Sequence, residues 1–201
     1  MTRPKSADAV ALQVPAEDDF PSDVPNPGPV LYALELLSDI LELLTDDESE
    51  GSCALPCFCR VVLYPGPDVP WDSCTSGGSC GGCDGQLWAA MQPISRIGGG
   101  SNAGNGGCVA YQFTAQIGAV RCAAPMTDDD LNPFPPVDAI QNDAIRQAID
   151  ADGIRYALQC CPTRPQRLKE AGIVLESWAP LASADCVGGA WTISGRFDVC
   201  C

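Results

Sequence analysis

Two closely spaced cysteine pairs are the residues of this chain best suited to chemistry. Cys80-Gly-Gly-Cys83 has redox or metal spacing, and Cys57-Phe-Cys59 precedes it in the sequence. Four thiolates satisfy a tetrahedral structural zinc ion, so Cys57, Cys59, Cys80 and Cys83 are the zinc candidates. The Cys-x-Cys spacing is not that of a usual zinc knuckle, and we therefore favour no metal site and predict no cofactor. A thiol oxidoreductase would place Cys80–Cys83 at a strand-to-helix junction, but here the motif leads into a strand.

The cysteine count is unusual for the compartment that the sequence suggests. The chain has 13 cysteines, and residues 1–6 lack the apolar region of a secretory signal. Cytosolic proteins rarely keep disulfides, so zinc binding, buried thiols and late oxidation are the alternatives. A particle assembled in the cytoplasm and released into an oxidising medium would form disulfides after assembly. The adjacent pairs Cys160-Cys161 and Cys200-Cys201 are expected to bond to different partners rather than to each other.

Other catalytic groups are missing from the sequence. The chain has no histidine, which excludes Ser-His-Asp and Cys-His catalysis. It has no phosphate-binding GxxxxGK[ST] loop and no dinucleotide-binding GxGxxG between a strand and a helix. Acidic runs such as 46–48 and 128–130 are typical of solvated surfaces rather than acid/base pairs. We therefore predict that the chain is not an enzyme.

The negative net charge limits the kinds of partner that the chain can bind. The net charge is −15, from 26 acidic and 11 basic residues, and such a surface repels nucleic-acid phosphates. Sequence-specific nucleic-acid binding is not expected, although an acidic passage would let DNA slide through without sticking. The longest apolar segment, Val30–Leu44, contains acidic residues and does not span a membrane. The sequence thus predicts a soluble protein with no membrane partner.

Composition divides the chain in two. Residues 1–29 are rich in proline and carry an acidic cluster at 17–19, a composition that cannot bury enough surface to fold alone. We predict an extended arm over residues 1–29 and a single α+β domain over residues 30–201.

Hydrophobic periodicity predicts two main helices and five strands in that domain. The order α-β-β-β-α-β-β favours a mixed or antiparallel sheet with both helices on one face. We expect each helix to bury its apolar face against the sheet, including Ile140, Ala144, Ile145, Ala148 and Ile149 of the second helix. The helices are predicted at Val30–Leu44 and Val137–Cys161, and the strands at about Cys59–Tyr64, Gln86–Ile94, Cys108–Cys122, Ile173–Ala179 and Ala190–Cys200, the last two joined by a turn over Pro180–Gly189.

Four motifs together resemble a known family. They are Pro-Gly-x-x-Val-Pro-Trp-Asp-x-Cys at 65–74, Gly-Gly-Cys-Asp-Gly-Gln-Leu-Trp at 81–88, Ala-Tyr-Gln-Phe-x-x-x-Ile-Gly-x-x-Arg-Cys at 110–122 and Cys-Val-Gly-Gly-Ala-Trp-Thr-Ile at 186–193. The combination resembles a cysteine-rich protein encoded among the head–tail genes of siphophages that infect actinobacteria. The resemblance covers about residues 30–201, and the element order is also similar to that of tail terminator proteins.

The resemblance implies a structural role in the virion. Tail terminators form a ring, commonly a hexamer, that caps the tail tube and joins it to the head connector. The implied partners are further copies of the chain, the major tail tube protein and a connector or stopper protein, with DNA passing through the lumen. The implied location is the virion neck, after assembly in the bacterial cytoplasm, and no catalytic residues are carried over.

Two alternatives remain open at this level. A different connector or stopper protein of the neck would share these features, and a zinc- or thiol-stabilised interaction module would explain the cysteines. In either neck role we expect the 98–107 loop, the strand edges and the N-terminal arm to contact neighbouring subunits. We expect Arg60, Arg96, Arg121 and Arg196 to pair with acidic runs of those neighbours.

Overall fold

The computed structural model describes residues 28–46, 52–69, 83–97, 107–124, 135–183 and 186–200. The predicted arm lies outside these ranges up to residue 27, and Pro29, its last residue, already belongs to the first helix. The glycine-rich segments 70–82 and 98–106 also lie outside them.

The described residues form an α+β fold with a five-stranded mixed sheet, as the sequence predicts. The strand order is β1-β2-β3-β5-β4. The β1 and β2 strands are parallel, and every other neighbouring pair is antiparallel. The elements are α1 (Pro29–Thr45), β1 (Arg60–Tyr64), β2 (Gln86–Arg96), β3 (Cys108–Cys122), α2 (Val137–Cys160), α3 (Gln166–Glu170), β4 (Val174–Ser183) and β5 (Cys186–Cys200).

Helix α1 is the apolar helix that the sequence indicates. Pro29 occupies its first turn, where a missing N–H removes no intrahelical bond. The helix ends at Thr45, whose hydroxyl donates to the Leu41 carbonyl at 2.8 Å. The apolar stripe of the sequence predicts that one face of this helix is buried, and its residues are Leu31, Ala33, Leu34, Leu37, Ile40, Leu41 and Leu44. All are buried except Leu31 and Leu34, which are partly buried, and the stripe omits Leu36 and Leu43, which are also buried. The helix therefore inserts a broader apolar face than the i, i+3, i+4 pattern indicated.

The β3 and β5 strands form the centre of the sheet. They pair without interruption from Cys108 opposite Cys200 to Cys122 opposite Cys186. The β3 sequence has apolar residues at the odd positions 109–119 and polar residues at 112, 114 and 116, which predicts one buried face. The odd-numbered residues from Phe113 to Ala119 are buried in the main core with residues of α1 and the end of α2. The sheet thus buries one face under the helices.

The predicted turn over Pro180–Gly189 is wrong, because both residues lie within paired strands. Proline is tolerated here since β4 is an edge strand, where a missing N–H is less damaging than in a central strand. The indole of Trp178 occupies the space that a Cβ on Gly189 would need. Gly189 therefore accommodates the Trp178 side chain within a paired strand and is not part of a turn.

The opposite face of the sheet carries a smaller apolar cluster of Trp88, Ala90 and Ala190. Trp88 on β2 lies opposite Gly118 on β3, and a Cβ on Gly118 would overlap its indole ring. Trp88 is only 2% exposed, so the ring has little room to move. The absence of a side chain at residue 118 lets the ring lie flat on the sheet.

Replacing Gly118 with alanine should therefore destabilise the fold. Overpacking of this kind typically costs about 1–3 kcal/mol, measurable by urea unfolding followed through tryptophan fluorescence. Gly66→Ala is the matched control, since a Cβ there meets nothing within 4 Å. Equal unfolding midpoints for the two variants would contradict the packing of Trp88 on Gly118.

The short helix α3, which the sequence prediction missed, is tied to α1 by ion pairs. Arg167 Nη1 donates to Glu35 Oε2 at 2.8 Å, and its Nε lies 3.5 Å from Asp39 Oδ2. Burial raises the pKa of Asp39 above its ordinary value, opposed by Arg167 and reinforced by Glu42 and Glu35. Ionised Asp39 is therefore less favourable in the folded chain than in the unfolded chain.

The raised pKa of Asp39 predicts that Asp39→Asn increases the stability of the chain in a pH-dependent way. The folded chain holds this proton more tightly, so the stability contributed by the carboxyl falls as pH rises through the interval between the unfolded and folded pKa values. Asp39→Asn should accordingly be more stable than wild type at pH 7, with the difference vanishing below the unfolded pKa. Urea unfolding across pH measures the difference, and equal stabilities of the two chains at pH 7 would contradict the prediction.

Candidate functional site

The best-defined polar cluster of the described residues is centred on Arg121, near the end of β3. Its Nε and Nη2 donate to the two carboxylate oxygens of Asp150 on α2, each at 2.9 Å. Arg121 is 5% exposed and Asp150 is 3% exposed. A buried bidentate pair of this geometry fixes both position and orientation, so it sets how α2 lies on the sheet.

The remaining donors of Arg121 hold the segment that precedes β1. Nη1 donates to the Cys57 carbonyl at 3.0 Å and to Asp84 Oδ1 at 2.9 Å, and Nη2 donates to the Pro56 carbonyl at 3.2 Å. The guanidinium also lies 3.8 Å from the centre of the Phe58 ring, a cation–π contact. One side chain thus connects β3, α2 and the chain before β1.

The electrostatics of the cluster favour a charged arginine. Burial acts to lower the pKa of Arg121, but hydrogen bonds and charge interactions with Asp150 and Asp84 outweigh it and raise that pKa. Arg146 joins at the surface, where Nη1 donates to Asp84 Oδ2 at 3.2 Å. The arrangement therefore stabilises the charged form of Arg121.

Disulfides hold the chain on both sides of this cluster. Cys57 bonds to Cys83 just before β2, and Cys53 bonds to Cys161 just after α2. A third disulfide joins Cys108 and Cys200, the cross-strand pair at the far end of the sheet. The segment before β1 is thus fixed covalently to β2 and α2. Cys161 and Cys200 bond to distant cysteines rather than to their sequence neighbours, as expected, whereas Cys160 is a free, exposed thiol and not bonded to a different partner.

The zinc candidates are in disulfide form wherever the structure describes them. Cys57 and Cys83 are bonded to each other, Cys59 is also disulfide-bonded, and Cys80 lies outside the described residues. A disulfide sulfur is not a thiolate ligand, so these three sulfurs do not bind zinc in this oxidised state. Within the described ranges, no group of three or more histidine, cysteine or acidic residues is placed to hold a metal ion.

The N-terminal half of α2 turns polar residues toward the protein. The carboxylate of Asp143 accepts a hydrogen bond from the Ala124 N–H at 2.8 Å, and the amide of Gln147 donates to the Gly188 carbonyl. One turn later, the Ala151 carbonyl accepts a hydrogen bond from the indole of Trp191 at 2.9 Å. These contacts and the Arg121–Asp150 pair attach the helix to the ends of β3 and β5.

The apolar side of the same half faces solvent. The predicted burial of Ile140, Ala144, Ile145, Ala148 and Ile149 is wrong, because all five are exposed; Ile145 is 57% exposed and Ile149 54%. Only the last part of the helix enters the core. We call the outward residues the α2 surface, and its members are Val137, Ile140, Ala144, Ile145, Ala148, Ile149 and Tyr156.

The sequence contained a signal for this arrangement. At about 100° per residue, the buried residues Ile154, Ala157 and Leu158 lie on the side of the helix opposite Ile145 and Ile149. The helix therefore carries two apolar faces, one formed by residues before Gly153 and the other by residues after it. Only one of these faces can meet the core. Leu55 occupies the space beside Gly153, which marks the helix side that contacts the protein.

The expectation that Arg121 pairs with a neighbouring subunit is wrong, because it is buried and paired within its own chain. Arg96 and Arg196 are exposed, and their pairing with neighbours stays a prediction. Arg60 is partly buried in β1 and already has a partner within its own chain.

Comparison with protein-family models and with curated proteins finds no match. Across the described ranges, no helix is long and apolar enough to cross a membrane.

Replacing Arg121 with methionine should strongly destabilise the chain. Removing one partner of a buried ion pair typically costs about 3–5 kcal/mol, because the other charge stays buried and unpaired. Urea unfolding under non-reducing conditions, with all disulfides intact, measures the change.

Arg146→Met is the matched control for that variant. It removes an arginine that contacts the same Asp84, but its side chain is 58% exposed, and exposed pairs contribute at most about 1 kcal/mol. Similar losses in the two variants would show that the Arg121 cluster does not determine stability.

Proposed function

We propose that this chain is a structural virion protein of the phage neck, a tail terminator that caps the tail tube as a ring and joins it to the head connector. The proposal begins from the sequence motifs and the element order, and the described fold supplies features consistent with it. The observation that carries the proposal is the α2 surface, an apolar face on a rigidly held helix.

A helix exposed in this way fits a protein that assembles. Large exposed apolar areas rimmed by polar residues mark protein interaction sites, and burial of the α2 surface by another protein would be favourable. Among the described strands, β1 and β4 lie at the two edges of the sheet, and an edge strand is a place where a neighbouring chain can pair.

The charge and the disulfides suit the same role. A net charge of −15 would keep a lumen formed by these chains from holding DNA phosphates. The disulfide between Cys53 and Cys161 closes a loop with a sequence separation of 108, and cross-links of such span contribute about 4–5 kcal/mol in the chain-entropy account. A virion part exposed to an oxidising medium would gain durability from such cross-links.

The proposal also assigns no catalysis. The buried titratable pair of the described residues, Arg121 and Asp150, is committed to holding α2 on the sheet. The disulfides of Cys57 and Cys59 occupy the sulfurs that a thiol chemistry would use. What these residues do is mechanical: they fix the helix whose outer side is left for a partner.

The proposal is tested by deleting the coding gene from the phage genome that carries it. Lysates should contain filled heads separate from tails, with tail lengths no longer uniform in negative-stain electron microscopy. A plasmid copy of the wild-type gene should restore joined, infectious particles.

The other outcomes of the deletion distinguish the alternatives. Separate tails of uniform length would replace the terminator role by that of a connector or stopper. Joined and infectious particles of normal tail length would exclude a role in the neck.

A further inference from the structure

The α2 surface contains most of the exposed large hydrophobic residues that the structure describes. These are Val137, Ile140, Ile145, Ile149 and Tyr156; the others, Val30 and Val174, lie on α1 and β4. Each of the five α2 residues exposes about half or more of its area. An apolar surface needs an apolar counterpart, and within the described residues the only apolar surface of this extent is α2 itself.

The α2 surface is also electrically balanced within a strongly acidic chain. Apart from the buried Asp150 and from Asp143, whose carboxylate accepts the Ala124 N–H, the charged residues of α2 are Asp138, Arg146, Asp152 and Arg155, two of each sign. Two copies of a chain with net charge −15 repel each other over most of their surfaces. Contact between copies is therefore least unfavourable where the outward charges of α2 cancel.

The shape of the strip suits another helix. At about 100° per residue, Ala144 and Ala148 lie near its middle, with Ile140 on one flank and Ile145 and Ile149 on the other. Small residues at the centre let two helices approach closely, while the isoleucines on the flanks fill the space beside them. An antiparallel arrangement also places the positive end of each helix dipole beside the negative end of the other.

We propose that the α2 surface binds a second copy of this chain, with the two α2 helices antiparallel across a two-fold axis. Such a contact uses the same surface on both chains, which the charge balance and the single extended apolar surface both favour. The inference goes beyond the neck proposal, because a ring is built from head-to-tail contacts and does not require a two-fold one.

The size of the surface predicts a weak dimer. The helix has 24 residues and is about 36 Å long, so a strip about 10 Å wide buries roughly 400 Å² per chain, half of a standard interface. The dissociation constant of the dimer should therefore be micromolar or higher rather than nanomolar.

Analytical ultracentrifugation of the full oxidised chain, from low micromolar to several hundred micromolar, tests the inference. The wild-type chain should show a reversible monomer–dimer equilibrium. The double variant Ile145→Gln/Ile149→Gln should weaken it at least about tenfold, as should Ala148→Arg, which blocks close approach at the centre of the strip.

Val30→Gln is the matched control. It replaces an equally exposed hydrophobic residue, 52% exposed, on another helix, and it should leave the dimer unchanged. Circular dichroism should give all variants the wild-type melting temperature, because the replaced side chains lie at the surface.

Three results would overturn the inference: a monomer at every concentration, a dimer that the α2 variants leave intact, or a larger closed ring that depends on α2. The third result would favour the ring of the neck proposal over the two-fold dimer, and the gene deletion tests the neck proposal separately. Loss of the dimer in the α2 variants, with the Val30→Gln chain unaffected, supports the two-fold contact through α2.

Discussion

The bidentate pair between Arg121 and Asp150 is the interaction on which the rest of this structure depends. Both groups are buried, so loss of Arg121 would leave the Asp150 carboxylate without this partner in a poorly solvated site. The same guanidinium holds the Cys57 carbonyl and the Asp84 carboxylate. Its position at the end of β3 fixes three separate segments relative to the sheet.

That pair has a consequence for the helix that carries Asp150. A carboxylate in the middle of α2 must face Arg121, and Asp143 and Gln147 then face the same way and bond to backbone groups of the sheet ends. The isoleucines between them are consequently turned to solvent. An apolar surface is thus produced by polar constraints inside the chain, which is why it is available to a partner.

The disulfides reinforce the constraints that Arg121 sets. The disulfides from Cys57 to Cys83 and from Cys53 to Cys161 close the chain around the Arg121 cluster. They restrict the unfolded chain, which offsets the self-repulsion of a protein with net charge −15.

The sequence by itself determined the first helix and the first three strands, and it indicated β4 and β5 without their paired ends. Alternation along β3 and the leucine stripe of α1 are local patterns, and their periods specify strand and helix without reference to the rest of the chain. Only the tertiary structure decided that α2 buries Asp150 rather than Ile145, that Arg121 pairs within its own chain, and that Cys57 bonds to Cys83. These outcomes join residues distant in sequence, and periodicity carries no information about which of two apolar helix sides will meet the core.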